Sequence, residues 1–182
     1  MLMLRNILNR VLMLLLFVSC VNDDTSQFEL RGENGFSYKE SLEQWKKLKK
    51  DNGNSYVYKT VFVSWMFNYG SSTELKIENG IVVERNYEVY NFIDENGEKE
   101  IIDSYIENLE NIGTHQEGAL PKTIDELYNT CAGDYLIVNS KDNVIYFETN
   151  ENGILSLCGF VPEGCMDDCY RGIQVEFIKW GK

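Results

Sequence analysis

The chain has 182 residues and carries 17 Lys and Arg against 29 Asp and Glu, a formal net charge of −12. A surface this acidic repels nucleic acid, whose binding rests on neutralising phosphates with Lys and Arg, and it gives no electrostatic purchase on anionic lipid. A single histidine, His115, excludes paired-histidine metal sites and leaves any Ser/His/Asp arrangement to be built around one residue.

Arg5 and Arg10 form a positive leader, Val11 to Val18 an apolar run, and Ser19 places a small residue before Cys20. A membrane span needs roughly 20 apolar residues, so this run is too short to cross and is read as a cleavable signal. The segment Leu16-Phe17-Val18-Ser19-Cys20 resembles the lipobox of bacterial lipoproteins, with Phe17 where Leu is usual. Val21-Asn22-Asp23-Asp24 resembles the acidic tag that follows the acylated cysteine in Bacteroidota lipoproteins. The resemblance implies a signal peptide over 1–19, lipidation of Cys20, and an outer-membrane lipoprotein of the cell envelope displayed at the surface. Without the leader the chain would keep 15 basic and 29 acidic residues, a net charge of −14. Val21 to Gly35 is polar and aperiodic, so 20–36 is expected to be a flexible tether and 37–182 a single α+β domain.

Ser37 and Glu40 have the spacing of a capping box. Behind them Tyr38, Leu42, Trp45 and Lys49 share one helical stripe, which predicts an amphipathic helix over 38–50 ended by Asn52-Gly53, with Trp45 as a core anchor. The run Tyr56 to Phe67, dense in β-branched and aromatic residues, predicts a central strand. Thr73 to Glu78 alternates cleanly, Asn79-Gly80 supplies a two-residue hairpin turn, and Ile81 to about Ile93 is the return strand. Residues 100–109 fit a strand or a helical face, and strand is preferred.

Gly113 to Pro121 reads as a loop in which Thr114 and His115 are the functional candidates, weighed against a structural histidine. Thr123 caps a second short helix, and strands are expected at 135–139, 143–149, 153–159 and 172–180. The helix-then-meander order repeats over 37–110 and 111–182, and Glu78-Asn79-Gly80-Ile81-Val82 matches Glu151-Asn152-Gly153-Ile154-Leu155. The match is short enough that a duplicated unit and chance hairpins both stay open. The expected fold is therefore α+β, with a largely antiparallel sheet and two amphipathic helices.

Besides Cys20 there are Cys131, Cys158, Cys165 and Cys169, an even number for an oxidising compartment, so two disulfides are expected. Of the three possible pairings, 131 with 158 and 165 with 169 is preferred. A four-thiolate zinc site is the competing reading, weakened because only Cys165 and Cys169 have pairwise ligand spacing. Glu163, Asp167 and Asp168 around the small cysteine loop are candidate calcium ligands, against solvated loop carboxylates. Glu148 to Gly153 starts like an EF-hand loop but has Gly159 where the bidentate Glu belongs. No cofactor is implied, and no catalytic motif is present.

The helix-then-meander order, the Tyr56-x-Tyr58 strand and the Thr123-Ile124-Asp125-Glu126-Leu127-Tyr128 segment resemble a group of secreted or lipid-anchored bacterial domains to which no activity is attached. More distantly, the chain resembles the β-lactamase-inhibitor-protein architecture, in which paired helix-plus-sheet units form a concave binding face. The expected function is an exported, lipid-anchored binding module, protein-binding or inhibitory, with glycan binding as the alternative and hydrolysis a third reading.

Overall fold

The computed structural model describes residues 27–181 apart from Trp65, Glu95 and Asn96. The signal peptide and Cys20 lie outside the described residues. The tether does not extend to residue 36 as expected. A 3₁₀ turn at Gln27–Glu29 sets Phe28 and Leu30 against the core, Arg31 bridges Ser37, and Glu33 N donates to Glu148 at 2.7 Å. Phe28 and Leu30, together with Phe36 against Gly153, anchor the segment.

Helix α1, Tyr38–Asn52, begins at the expected capping box: Glu40 accepts from the Ser37 amide at 2.8 Å and Ser37 Oγ accepts from the Glu40 amide. Arg31 adds a bidentate contact to Glu40, and that hydrogen bond, with those from Ser37, holds the carboxyl down to about 2. Strands β1 (Tyr56–Ser64), β2 (Tyr69–Glu78), β3 (Ile81–Phe92) and β4 (Lys99–Asn108) form an antiparallel meander. Asn79 and Gly80, at φ 51° and 83°, make its tight turn.

Helix α2, Ile124–Thr130, is followed by a π turn at Cys131–Tyr135, and then by β5 (Asn143–Thr149), β6 (Leu155–Pro162) and β7 (Arg171–Trp180). The expected strand at 135–139 does not form. Ile124, Leu127, Tyr128 and Cys131 bury one helical stripe, and the extra residue of the π turn brings Leu136, 1% exposed, onto the same face while Ile137 points to solvent. The leucine that looked like the inward residue of a strand is used as the last core residue of the helix.

The seven strands are ordered β4-β3-β2-β1-β7-β6-β5, all antiparallel. The helices cover one face, where Trp45 stacks on Trp180 and packs edge-on against Tyr56. Tyr56 and Tyr58 alternate onto this face, and their hydroxyls hold the entrance of α2. Tyr56 accepts from the Ile124 amide and Tyr58 donates to the Lys122 carbonyl. The second half thus has a helix and three strands where the first has a helix and four. The matched Asn-Gly segments are not equivalent: Ile81 flanks a two-residue turn and is exposed, whereas Ile154 is buried beside a longer turn closed by Asn150 N to Ile154 O.

Candidate functional site

The cavity that the fold builds follows from how β7 changes partner. Its second half, from Val175, pairs with β1 up to Thr60, while its first half, Arg171 to Gln174, pairs with β6. Beyond Thr60 the strand β1 is paired with β2 alone. The two strands fork, leaving a slot of about 410 Å³ between Val61 and Phe62 on one side and Gly172 and Gln174 on the other. Such a volume suits a small ligand or a few residues of chain. By strand alternation the peptide groups of Val61, Gly172 and Gln174 turn into the gap, because Phe62 O lies toward Gly70 of β2 and Arg171 O toward Gly159 of β6. Leu127 and Thr130 of α2, Leu120 and Lys122 of the preceding loop, and Tyr135 roof the slot. Lys122 Nζ donates to Thr130 Oγ1 at 2.7 Å, and among the described residues no carboxylate within 4 Å neutralises it.

The outer end of the fork is closed by chemistry rather than by strand pairing. Ser64 Oγ, buried, donates to Asp168 Oδ2 at 2.5 Å and accepts from Phe67 N at 3.4 Å. This joins the β1–β2 turn to the loop closed by Cys165 and Cys169. Asn68, at φ 52°, binds Phe92 through both its side chain and its backbone. On this braced end sit Phe62, Met66, Phe67 and Met166, exposed at 43%, 57%, 68% and 90%. Of the other aromatics, Tyr38, Tyr56, Tyr58, Tyr87, Tyr90, Tyr128, Phe147 and Trp45 are buried, and most of the rest are partly buried.

The loop singled out for Thr114 and His115 is built on a buried ion pair that sequence reasoning missed. Arg85 of β3 and Glu107 of β4 are cross-strand partners with side chains 1% and 0% exposed, 3.0 Å apart. Glu107 also accepts from the amides of Gly113 and His115, each at 2.7 Å, and from Thr114 Oγ1 and His115 Nδ1. Burial alone would raise its carboxyl pKa; the backbone amides, Arg85 and His115 together outweigh that and hold it well below the usual carboxylate range. Arg85 spends its other donors on the carbonyls of His115, Glu117 and Ala119. The His115 ring, 45% exposed, stacks on Tyr105 at 4.0 Å and, among the described residues, hydrogen-bonds only to Glu107. Through its bonds to Glu107 the histidine ties down the loop that walls the slot. The available signal was a charge at an inward-facing strand position on each of two adjacent strands.

Cys131 and Cys158 form a fully buried disulfide between the π turn and β6, and Cys165 and Cys169 pair within the exposed loop. The three candidate calcium ligands are not gathered: Asp168 is committed to Ser64, and among the described residues no group of three or more His, Cys, Asp or Glu side chains is placed to hold a metal ion. No helix among the described residues is long and apolar enough to cross a membrane, which says nothing of a β-barrel. Comparisons with protein families, with curated proteins and with solved structures each found no match.

Proposed function

We propose that this chain is an exported, lipid-anchored module that binds another protein through the braced apolar end of its sheet. The observation that carries the reading is the placement of Met66, Phe67 and Met166, all exposed, on a turn and a disulfide loop locked together by Ser64 and Asp168. Exposed Met and Phe side chains are of the types enriched at protein interfaces, and on a pre-organised support little ordering entropy remains to be lost on association. Glu163 and Asp167, both exposed, rim the patch with negative charge, so the partner it fits carries an apolar recess flanked by basic groups.

The location of this module rests on Cys20 and the residues around it, as read from the sequence. A lipid on Cys20 would hold the acidic domain at an outer membrane that its charge alone would not approach. Glycan binding has less to draw on, because Tyr146 is the one tyrosine among the described residues that is exposed, at 38%, and its neighbour Tyr170 meets it edge-on instead of extending a flat platform.

The reading is tested by capture from native envelope extract with the wild-type chain and with a Met66→Asp/Phe67→Asp variant. A protein retained by the wild type and lost with the variant supports it. Retention of the same proteins by both chains contradicts it.

A further inference from the structure

We infer that the fork between β1 and β7 is a second recognition element, a slot for the carboxylate-bearing C-terminal end of an extended peptide. This deepens the protein-binding reading and rests on it in taking the ligand to be a peptide rather than a sugar.

Three features of the slot converge on that chemistry. Its two long walls are strand edges that, among the described residues, have no strand partner in the gap: Val61 on β1, and Gly172 and Gln174 on β7. An extended peptide satisfies such edges by main-chain hydrogen bonding, the mode by which sheets accept an added strand. The roof supplies a cation, Lys122, held in place by Thr130 and, among the described residues, not neutralised by any carboxylate within 4 Å, in a chain where acids outnumber bases by 29 to 17. A terminal carboxylate completes that ammonium, and the Thr130 hydroxyl beside it offers a further polar contact. Phe62, Leu120 and Leu127 add apolar wall for the side chain of the final residue.

The slot is also rigid where it needs to be. Its inner end is fixed by the Thr60 to Val175 pairing and its outer end by Ser64 to Asp168. The wall formed by residues 118 and 119 is clamped through the Ala119 carbonyl to Arg85 and through the Ala119 amide to Thr73 Oγ1 at 2.9 Å. A volume of about 410 Å³ accommodates two or three residues, no more.

The test titrates the purified full-length protein with N-acetylated tripeptides whose last residue is varied, each as the free acid and as the C-terminal amide, following backbone amide shifts and heat of binding. The expected result is saturable binding of free acids that end in an apolar residue, with shifts at Val61, Gly172 and Gln174. Amidation of the peptide or Lys122→Gln weakens it roughly tenfold or more, the loss expected for a charge-assisted hydrogen bond. Lys122→Arg restores most of that loss. Indifference to amidation or to Lys122→Gln overturns the inference, as does absence of shifts at those amides across the whole set. Shifts there with N-acetylglucosamine in place of the peptides overturn it too. The Met66→Asp/Phe67→Asp variant retains tripeptide binding, so failure of the apolar end and failure of the slot give different outcomes.

Discussion

Glu107 is the residue on which the slot's loop wall depends most. Deleting one partner of a buried ion pair leaves the other charge unpaired in a low dielectric, at a cost of about 3–5 kcal/mol. Arg85→Met should therefore destabilise the fold by that order, read as a fall in thermal midpoint. Glu107→Gln should cost a similar amount, because either orientation of the amide turns its NH2 toward the N–H donors of Gly113 and Arg85 or of His115, and Arg85 loses its charge partner. The pH dependence has a definite sign. Glu107 has a folded pKa below its unfolded value, so its contribution is complete above the ordinary glutamate range of about 4.3 and is lost progressively as pH falls below it. An acid titration of stability should fall less steeply below that range in Glu107→Gln than in the wild type, and equal slopes would show that the pair does not brace the fold. Gly118 belongs to the same wall. At φ +78°, with a Cβ position 2.6 Å from the Tyr87 ring and 2.7 Å from Thr73 Oγ1, it admits no side chain without moving the loop.

At the scale of elements, the two disulfides have different duties. The chain-entropy model gives about 3–4 kcal/mol for the bridge separated by 27 residues and about 2 kcal/mol for the bridge separated by 4. Cys131 and Cys158 are buried in the core that joins the π turn to β6, whereas the smaller bridge shapes the exposed loop carrying Met166 and Asp168. Replacing Cys131 and Cys158 by Ala should lower the thermal midpoint substantially. Replacing Cys165 and Cys169 should lower it less and also weaken partner capture. Calorimetry and the capture assay, run on both double variants, separate the two roles, and a reversed ranking would refute this division. The favoured pairing was legible because four residues of spacing invite a small loop. Both helix starts were legible from Ser37/Glu40 and Thr123/Glu126, since a capping box is local chemistry. Residues 135–139 misled because Tyr135, Leu136, Ile137 and Val138 carry high strand propensity. The disulfide at Cys131 and the burial of Leu136 are tertiary facts that propensity does not see.

For the molecule as a whole, the α+β architecture with a largely antiparallel sheet was within reach of hydrophobic periodicity and turn residues, and the seven strands and two helices bear it out. The site was not. Its slot exists because β7 trades β6 for β1 near Val175, a pairing between segments more than a hundred residues apart that no local pattern encodes. The apolar end was visible only as the tail of a strand-like run, and its link to the cysteine loop hangs on one bond between Ser64 and Asp168. His115 drew attention as the sole histidine, weighed against a structural role, and its bonds to Glu107 place it at the edge of the slot wall. The net charge keeps the exterior solvated, and Met66, Phe67 and Met166 are among its exposed apolar side chains, set apart from the others by the Ser64–Asp168 bond that braces their support.

The most direct measurement is site-specific photo-cross-linking in intact cells, with a photoreactive amino acid at position 67 and a control at Lys47 on the opposite, helical side of the domain. Discrete protein adducts are expected from position 67, suppressed by Met66→Asp and absent from position 47. Adducts only to lipid or glycan at position 67, or the same protein adducts from both positions, would contradict the protein-binding reading.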